Sequence, residues 1–434
     1  MAYFLFLLVN ASLMLRPAEI VNDWAELPIY NMLMIACLVA SVLPILRQLT
    51  PQVLASTPIT VCVLGLFAAV VLSHVANGNL LYARLMGYEF LKTVAYYLLL
   101  IGLVDSRERL RGFFRTLVLM IGLMATLTLL HHHGVIELQS LETLTRDEID
   151  PSTGQVYSIL QLQGTGIFND PNDLCLILIV GMALCLCLMF GSDGGLFRLF
   201  WLAPLMLFGY TLALTNSRGG FLGLLVGIMA GLMARFGAKR SIPLMILTIP
   251  AMFVLFAGRQ TNLSTSSGTG QARVQLCLAG LGVFRNSPLF GIGQGLCAET
   301  IGQETHHSFI HCYPDMGFLG GTLFLAMYAL SFECLAKLGR RGIEVIDHEL
   351  RRMRPYLVGM LVGYATGMCS VSRAYIVPTY MIPALIVVYA RLAATDPPTS
   401  HRRLDGRFVR DATLLGLAFL VVAHIYVHFF ARFG

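Results

Sequence analysis

The chain is poor in charge. Asp, Glu, Lys and Arg supply only 12% of its 434 residues, about half of the share in soluble domains. Hydrophobic residues supply 56%, and the mean hydropathy is +0.73. No soluble fold can bury repeated apolar runs of about 20 residues, each long enough to cross roughly 30 Å of hydrocarbon as a helix. The composition therefore predicts an all-α polytopic membrane protein.

Other sequence signals are missing as well. The chain has no zinc-type spacing of histidine and cysteine, no internal repeat and no soluble domain. Residues 2–15 have no basic region in front and no A-x-A site behind, which predicts a short first span and not a removed signal peptide. Ten cysteines are scattered, mostly within apolar runs. Cys277 and Cys297 share one loop, and the sequence leaves a disulfide between them open.

Thirteen apolar segments are candidates for membrane spans. They predict one integral-membrane domain over residues 1–434 with 12 or 13 spans, because the first segment is short. The segments are residues 2–15, 29–46, 58–76, 85–104, 113–132, 173–190, 199–214, 219–235, 242–258, 315–336, 356–372, 374–392 and 412–430.

The basic residues predict the orientation of these spans. With the N-terminus inside, 20 of the 30 lysines and arginines fall in inner loops, as the positive-inside rule requires. Two long loops, about residues 134–172 and 259–315, then form the outer face. Because topology accounts for most of the net charge of +6, the charge gives no reason to expect a nucleic-acid partner.

Residues 305–321, T-H-H-S-F-I-H-C-Y-P-D-M-G-F-L-G-G, place three histidines and an aspartate at the start of an apolar helix. Imidazole titrates near neutral pH, so a histidine at the water edge can take a proton from a hydroxyl. His307, His311 and Asp315 are spaced to share one helical face, although Pro314 must start or bend the helix. His306 lies off that face. Ionisable groups this close to hydrocarbon usually persist for function.

Three outer arginines stand in polar or glycine-rich settings. Arg218 lies in T-N-S-R-G-G, where Asn216 or Ser217 can cap the following helix. A helix N-terminus beside a guanidinium favours an anion such as phosphate; the alternative is an arginine that snorkels to the interface. Arg273 starts an amphipathic segment, and Arg285 precedes N-S-P-L-F-G-I-G-Q-G, whose glycines allow either a turn or close approach to a ligand.

A further polar stretch, F-N-D-P-N-D, leads into the span at residue 173. Its polar members are Asn169, Asp170, Asn172 and Asp173. One of them can cap the helix, which is the simplest interpretation. Four polar side chains exceed what a cap needs, so they could also bind sugar hydroxyls or hold an arginine. Residues 131–133 are three consecutive histidines. Consecutive side chains on a helix point about 100° apart, so these histidines do not predict a metal site.

Three segments, in this order, resemble motifs of the bacterial O-antigen ligase and O-antigen polymerase superfamily of integral-membrane glycan ligases. Residues 217–220 resemble S-R-G-G, residues 273–293 resemble R…P-x-x-G-x-G, and residues 306–320 resemble H-N-S-x-L…E-x-G-x-x-G. His307 replaces the usual asparagine and Asp315 the usual glutamate, whereas His306 matches the essential histidine. F-N-D-P-N-D is also similar to a stretch in many members.

The resemblance implies a GT-C-like, metal-independent and cofactor-free transferase whose donor is an undecaprenyl-diphosphate-linked glycan. Arg218 and Arg273 would stabilise charge on the diphosphate, and His306 would be the base of an inverting displacement. We expect further substrate contacts from Ser217, Asn169, Asp170, Asn172, Asp173, Arg285, His307 and Asp315.

The acceptor separates the possible functions. A ligase transfers the glycan to the lipid A core oligosaccharide in lipopolysaccharide biosynthesis, whereas an O-antigen or exopolysaccharide polymerase extends another lipid-linked glycan and a protein O-oligosaccharyltransferase modifies a protein. We expect a ligase in the bacterial inner membrane, with its site facing the periplasm, because the second outer loop is modest and no extra C-terminal domain follows. A lipid-glycan transporter is the alternative from another class; it predicts interrupted helices and an inverted repeat.

Overall fold

The computed structural model describes residues 1–16, 27–138, 141, 144–149, 156–190, 195–256, 268–398 and 402–430. Helices dominate these residues. The loop predicted over residues 259–315 is therefore described from residue 268 onwards.

The described chain contains helices, short strands and 3₁₀ turns, numbered here in chain order. The helices are α1 (Ala2–Leu15), α2 (Ile29–Ala40), α3 (Val42–Gln48), α4 (Pro51–Ser56), α5 (Pro58–Val75), α6 (Leu80–Leu103), α7 (Arg107–His132), α8 (Pro171–Phe190), α9 (Leu202–Leu214), α10 (Arg218–Phe236), α11 (Ala238–Leu255), α12 (Gly268–Asn286), α13 (Leu296–Ile301), α14 (Ser308–Lys337), α15 (His348–Gly367), α16 (Val377–Leu392) and α17 (Gly406–Phe430). The strands are β1 (Leu144–Ile149), β2 (Val156–Gln161), β3 (Glu344–Val345) and β4 (Thr395–Asp396), and short 3₁₀ turns cover Gly166–Phe168, Gly195–Trp201 and Met368–Ser370.

The helices confirm the predicted class, an all-α polytopic membrane protein. Within the described residues, seven segments are long and apolar enough to cross a bilayer: α5, α7, α8, Gly195–Leu214, α10, α14 and α17. The pair α2 and α3 adds an eighth if it counts as one span, and α1 and α16 are shorter apolar helices. The expected 12 or 13 spans also include helices outside this set, such as α6 with 24 residues and α15 with 20 residues.

Two of the differences between predicted spans and observed helices involve a proline. The segment 29–46 is interrupted at Ser41, because Pro44 has no N–H for the carbonyl of Ala40 and its ring disfavours a continuous helix. The segment predicted to start at residue 315 begins already at Ser308, since Pro314 is accommodated inside α14.

The chain folds into two compact units. Unit 1 comprises Met1–Ala40, Ser106–Asn262 and Arg352–Gly367, and unit 2 comprises Ser41–Asp105, Leu263–Arg351 and Met368–Gly434. The centre of unit 1 is α8, which contacts α7, α9 and α10 and is buried along most of its length. A helix that is apolar on all sides packs best in such a central place.

Unit 1 also contains an antiparallel hairpin that the sequence did not predict. Strands β1 and β2 pair from Leu144 with Gln161 to Ile149 with Val156. The Gln161 side chain donates to the carbonyl of Thr215 at 3.1 Å, and the Leu162 N–H donates to that of Leu214 at 3.3 Å. The hairpin thereby supplies donors to the last carbonyls of α9.

Unit 2 is built around α14, which packs against α5, α12, α16 and α17. Helix α16 is buried at 14 positions, Val377 to Ala390. At its end, the Arg391 guanidinium donates to the carbonyls of Ile101 and Val104, both at 2.8 Å. These carbonyls end α6 and have no partner within their own helix, so Arg391 ties α16 to α6.

Glycines set the closest helix approach within unit 1. An added Cβ on Gly223 would lie 2.8 Å from the Gly363 carbonyl oxygen, and one on Gly227 would lie 2.8 Å from the Gly359 carbonyl oxygen. The two G-x-x-x-G pairs therefore face each other, the small-residue packing that brings membrane helices together.

We predict that Gly227→Ala destabilises the protein. The new methyl group meets backbone atoms that cannot rotate away, so the helices must separate, at about 1–3 kcal/mol. Thermal unfolding of the detergent-purified protein measures this loss. Gly209→Ala in α9 is the matched control, because an added Cβ there has no atom within 4 Å; equal unfolding temperatures of the two variants would contradict the packing argument.

Candidate functional site

The histidine-containing stretch of unit 2 is organised by a break in α14. Gly317 has φ 66° and ψ −167°, a conformation that favours glycine. In an unbroken helix, the N–H groups of residues 318 and 319 would bond to the carbonyls of Pro314 and Asp315. Here the segment 288–293 supplies new partners for both the freed carbonyls and the freed N–H groups. The bonds are Ile292 N–H to Pro314 C=O (2.9 Å), Gly293 N–H to Asp315 C=O (3.0 Å), Phe318 N–H to Pro288 C=O (2.7 Å) and Leu319 N–H to Leu289 C=O (3.4 Å).

This exchange explains why two of the sequence motifs carry glycine. An added Cβ on Gly291 would lie 2.4 Å from the carbonyl carbon of Asp315, and one on Gly317 would lie 2.3 Å from that of Leu289. The P-x-x-G-x-G segment and the D-x-G-x-x-G segment therefore lie backbone to backbone. The glycines of residues 288–293 form close contacts with α14.

Asp315 is the electrostatic centre of this region. Its side chain is fully buried, and its carboxylate accepts from the N–H groups of Gly295 (3.0 Å) and Cys297 (3.3 Å) and from the Tyr375 hydroxyl (2.9 Å). His311 Nε2 lies 3.2 Å from Asp315 Oδ2. An ionised carboxylate can only accept, so the Tyr375 hydroxyl is the donor in its bond to Asp315.

A chain of contacts leads from Asp315 to the loop of His306. His311 Nδ1 lies 3.2 Å from Thr305 Oγ1, which lies 3.4 Å from Ser372 Oγ. On the other side of His306, Ser308 Oγ donates to the Val371 carbonyl at 2.6 Å. These contacts fix the backbone on both sides of His306.

His306 and His307 have different local roles. His306 is partly exposed and has φ 51°, in the left-handed region. This conformation is uncommon outside glycine, although histidine is enriched among the exceptions. His307 is the N-cap of α14, and its Nδ1 accepts from the Ile310 N–H at 3.3 Å. The face predicted to hold His307, His311 and Asp315 thus contains the pair His311 and Asp315, while His307 caps the helix.

Arg273 lies on α12, which packs against the His306 loop. Cys277 Sγ contacts the Thr305 carbonyl at 3.5 Å, and an added Cβ on Gly280 would meet Thr305 Cγ2 at 2.8 Å. Arg273 precedes Cys277 by four residues and lies on the same helical face. Cys277 and Cys297 are both free, buried thiols.

Arg285 lies apart from Arg273. It stands in the last turn of α12, roughly 18 Å along the helix axis from Arg273. Its side chain is exposed and its Nη2 lies 3.5 Å from His424 Nδ1. The structure therefore does not bring these two arginines together.

In unit 1, the structure brings F-N-D-P-N-D and T-N-S-R-G-G together. Ser217 Oγ donates to Asn172 Oδ1 at 2.6 Å and accepts from the Gly220 N–H at 3.0 Å, so Ser217 is the N-cap of α10 as predicted. Asp170 Oδ1 accepts from the Asn172 N–H at 2.8 Å and from its side-chain amide at 2.9 Å.

Two helix N-termini consequently lie side by side in unit 1. An added Cβ on Gly220 would lie 2.4 Å from Cys175 Sγ, which explains the last glycine of S-R-G-G. Arg218, partly exposed, is the first residue of α10, and Asp173, which is buried, lies in the first turn of α8. Asn169 ends the 3₁₀ turn just before α8. Paired N-termini concentrate partial positive charge.

Sequence reasoning missed several residues of unit 2. Tyr375, Thr305 and Ser372 hold Asp315 and the His306 loop, as described above. His74 is fully buried and its ring lies against Gly293, where an added Cβ would be 2.6 Å from Nδ1. The signal for His74 was a histidine near the end of the apolar run 58–76. In the described part of the chain, no three His, Cys, Asp or Glu residues are grouped so as to hold a metal ion.

The His307 cap predicts a pH effect. Burial lowers the pKa of His307 to about 4, below the ordinary 6.5, and its cap bond needs an unprotonated Nδ1. Between these pH values the unfolded chain binds a proton that the folded chain does not, so stability falls as the pH falls from about 6.5 to 4. His307→Asn keeps a capping oxygen and removes this proton. We expect its unfolding temperature to depend less on pH in that window.

Thermal unfolding at a series of pH values measures the effect. His348→Asn, at an exposed histidine in the first turn of α15, is the control and should retain the pH dependence of the parent. Identical pH profiles for the parent and His307→Asn would contradict the cap assignment.

Part of the chain matches a known protein family. Residues 203–325 match the family model described as O-antigen ligase, and this segment contains Arg218, Arg273, His306 and Asp315. No curated protein matches the chain significantly. The match and the apolar helices together indicate a multi-pass membrane enzyme of glycosyltransferase type that acts on lipid-linked glycans. The match over residues 203–325 supports the resemblance to the O-antigen ligase superfamily that the sequence motifs predicted.

Proposed function

We propose that the protein is an O-antigen ligase that moves a glycan from undecaprenyl diphosphate to the lipid A core oligosaccharide. The observation that carries this proposal is the family match over residues 203–325, which contains the three proposed catalytic residues, Arg218, Arg273 and His306, in motif order. The reaction takes place at the periplasmic face of the bacterial inner membrane.

The proposed reaction is a single inverting displacement. His306 takes the proton of an acceptor hydroxyl while its oxygen attacks the anomeric carbon of the donor sugar. The bond from that carbon to the diphosphate oxygen breaks, and undecaprenyl diphosphate leaves with both bonding electrons. His306 later returns the proton to solvent. Proton transfer by the side chain and charge stabilisation by arginine account for the chemistry, without a metal ion or cofactor.

The surroundings of His306 support its role as base. Thr305 and Ser308 are both buried and hydrogen-bonded, so the backbone of His306 is held between two fixed neighbours. This held backbone at positive φ fixes the direction of the His306 Cα–Cβ bond, which lowers the cost of ordering the side chain when substrate binds. His307 is committed to its cap, so it is less suited to take a proton.

The two arginines are proposed to stabilise charge that develops on the diphosphate. Arg218 stands at the start of α10, where the N-terminal N–H groups add partial positive charge. Arg273 stands on the face of α12 that contacts Thr305. Asn169, Asp170, Asn172 and Asp173, with Ser217, shape the start of α8 and α10, and we propose that they reach the donor sugars or its carrier.

We assign different roles to three of the residues that were expected to contact substrate. Asp315 is enclosed by protein donors, so we propose that it positions His311 and Thr305 rather than sugars. His307 acts as the cap. Arg285, exposed at the far end of α12, is proposed to contact only an extended part of the glycan.

We predict that His306→Ala removes transfer, by about 10²–10⁴-fold for a general base, while His307→Asn retains it. The assay uses purified protein in proteoliposomes with undecaprenyl-diphosphate glycan and rough lipopolysaccharide, in excess chelator. Both variants should insert like the parent and, at neutral pH, unfold like it. Similar activities of His306→Ala and the parent would remove the proposed base.

Arg218→Ala and Arg273→Ala should each lower transfer by about 10²–10³-fold, the usual effect of losing one preorganised donor. The lysine variants should recover part of the activity, because they keep the charge without the guanidinium fork. Arg341→Ala, on an exposed loop between α14 and α15, is the control and should behave like the parent. Full activity of both alanine variants would contradict the diphosphate assignment.

The same assay separates the alternatives. Glycan on lipopolysaccharide supports the ligase. Lengthening of the lipid-linked donor without that acceptor identifies a polymerase, and transfer to a protein acceptor identifies an O-oligosaccharyltransferase. Movement of intact donor across the bilayer without transfer would identify a transporter.

A further inference from the structure

A cavity of about 370 Å³ lies in unit 2 around the C-terminal turns of α14 and α16 and the start of α5. On α14 its lining begins at Leu330, which lies roughly 20 Å beyond the break at Gly317 at 1.5 Å per residue. The cavity is therefore distinct from the groups around Asp315 and His306. Its volume falls in the range of pockets that hold small ligands.

The interior of the cavity is apolar. Buried side chains of Ile59, Leu330, Leu338, Val387 and Ala390 contribute to its walls. They come from three helices whose ends meet here, so the apolar surface is enclosed by the fold rather than spread over one exposed helix. Such a surface suits a hydrocarbon chain and offers little to a purely polar ligand.

Charged side chains line the same cavity, with cations in excess. Lys337, Arg391 and Arg402 are the cations and Glu333 is the only anion among the lining residues. Glu333 accepts from Lys337 at 2.8 Å and from Arg402 at 3.1 Å. The lining therefore holds one carboxylate and three cations, and Asp411, which contacts Arg402, offsets a further part of the charge.

The third cation, Arg391, contacts neither Glu333 nor Asp411. Its guanidinium donates to the carbonyls of Ile101 and Val104 and to Gln48 Oε1 at 3.2 Å. These oxygens are neutral, so the bonds orient the guanidinium without cancelling its charge. The nearby Asp105 carboxylate attracts the guanidinium and offsets part of its charge. An oriented cation beside an apolar cavity favours an anion that carries a hydrocarbon chain.

We propose that this cavity binds a membrane phospholipid with an anionic headgroup. The phosphate lies against Lys337 and Arg391, and part of an acyl chain fills the apolar interior. Because this end of α14 carries basic loops, the positive-inside rule predicts that it faces the inner leaflet, where anionic headgroups attract such cations. The proposal concerns lipid binding alone and does not depend on the transfer reaction.

The test measures retention of lipid by the delipidated full-length protein in a non-ionic detergent. Native mass spectrometry follows titrations with phosphatidylglycerol, phosphatidylcholine and inorganic phosphate. We expect phosphatidylglycerol to bind in preference to phosphatidylcholine. Lys337→Gln and Arg391→Gln should each weaken phosphatidylglycerol binding about fivefold, as for the loss of one membrane-facing cation. Arg340→Gln, an exposed arginine outside the lining, removes the same charge and should leave binding unchanged.

Because Arg391 also ties α16 to α6, Arg391→Gln can destabilise the fold as well as weaken lipid binding. A second variant separates these two effects. Ala390→Leu narrows the cavity and keeps every charge, so it should lose phosphatidylglycerol while its lipid-free unfolding temperature stays near that of the parent. Equal binding of both phospholipids, or unchanged binding in Lys337→Gln and Ala390→Leu, would overturn the proposal. Inorganic phosphate that saturates the site and blocks phosphatidylglycerol would also overturn it, because the ligand is then a small anion.

Discussion

The break of α14 at Gly317 is the constraint on which the rest of unit 2 depends. A bilayer offers no water to an open N–H or carbonyl group, so a broken membrane helix must find substitutes for its lost bonds. Two intrahelical bonds are replaced by four bonds to the segment 288–293. This solution requires the two backbones to touch, and Gly291 and Gly317 are the residues that permit it. A side chain at either position would separate the segments and leave several buried polar groups without partners.

The same break determines where charge can be buried. The carboxylate of Asp315 lies beside the segment that follows Gly293, and N–H groups of residues 295 and 297 reach it there. A buried carboxylate is tolerable only when donors surround it, and Tyr375 and His311 complete the set. Asp315 therefore links the break in α14 to the loop that carries His306, through His311 and Thr305.

Unit 1 satisfies the polar groups at its helix ends in a different way. Instead of breaking one helix, it places the starts of α8 and α10 together, with Ser217 bonded to both Asn172 and the Gly220 N–H. The first N–H groups of a helix have no partner in their own helix, so two adjacent starts form a polar surface at the end of apolar helices. Gly220 again permits the close approach. The polar groups of each unit thus follow from the need to satisfy helix ends near hydrocarbon.

Sequence alone determined the class of this protein and much of its local structure. Runs of apolar residues can be stable only as membrane helices, which predicted the all-α polytopic class, and capping chemistry acts over three residues, which predicted Ser217 as a cap. The motif order also predicted the family.

Tertiary structure decided which motifs meet. The bonds of Ser217 to Asn172 and of Tyr375 to Asp315 join residues 45 and 60 positions apart, and those of residues 288–293 to α14 join residues 22 or 30 positions apart. His307 became a cap because the left-handed turn at His306 starts α14 at Ser308. Periodicity could not reveal either the turn or the break at Gly317, because both depend on backbone bonds to distant segments and not on the pattern of side chains.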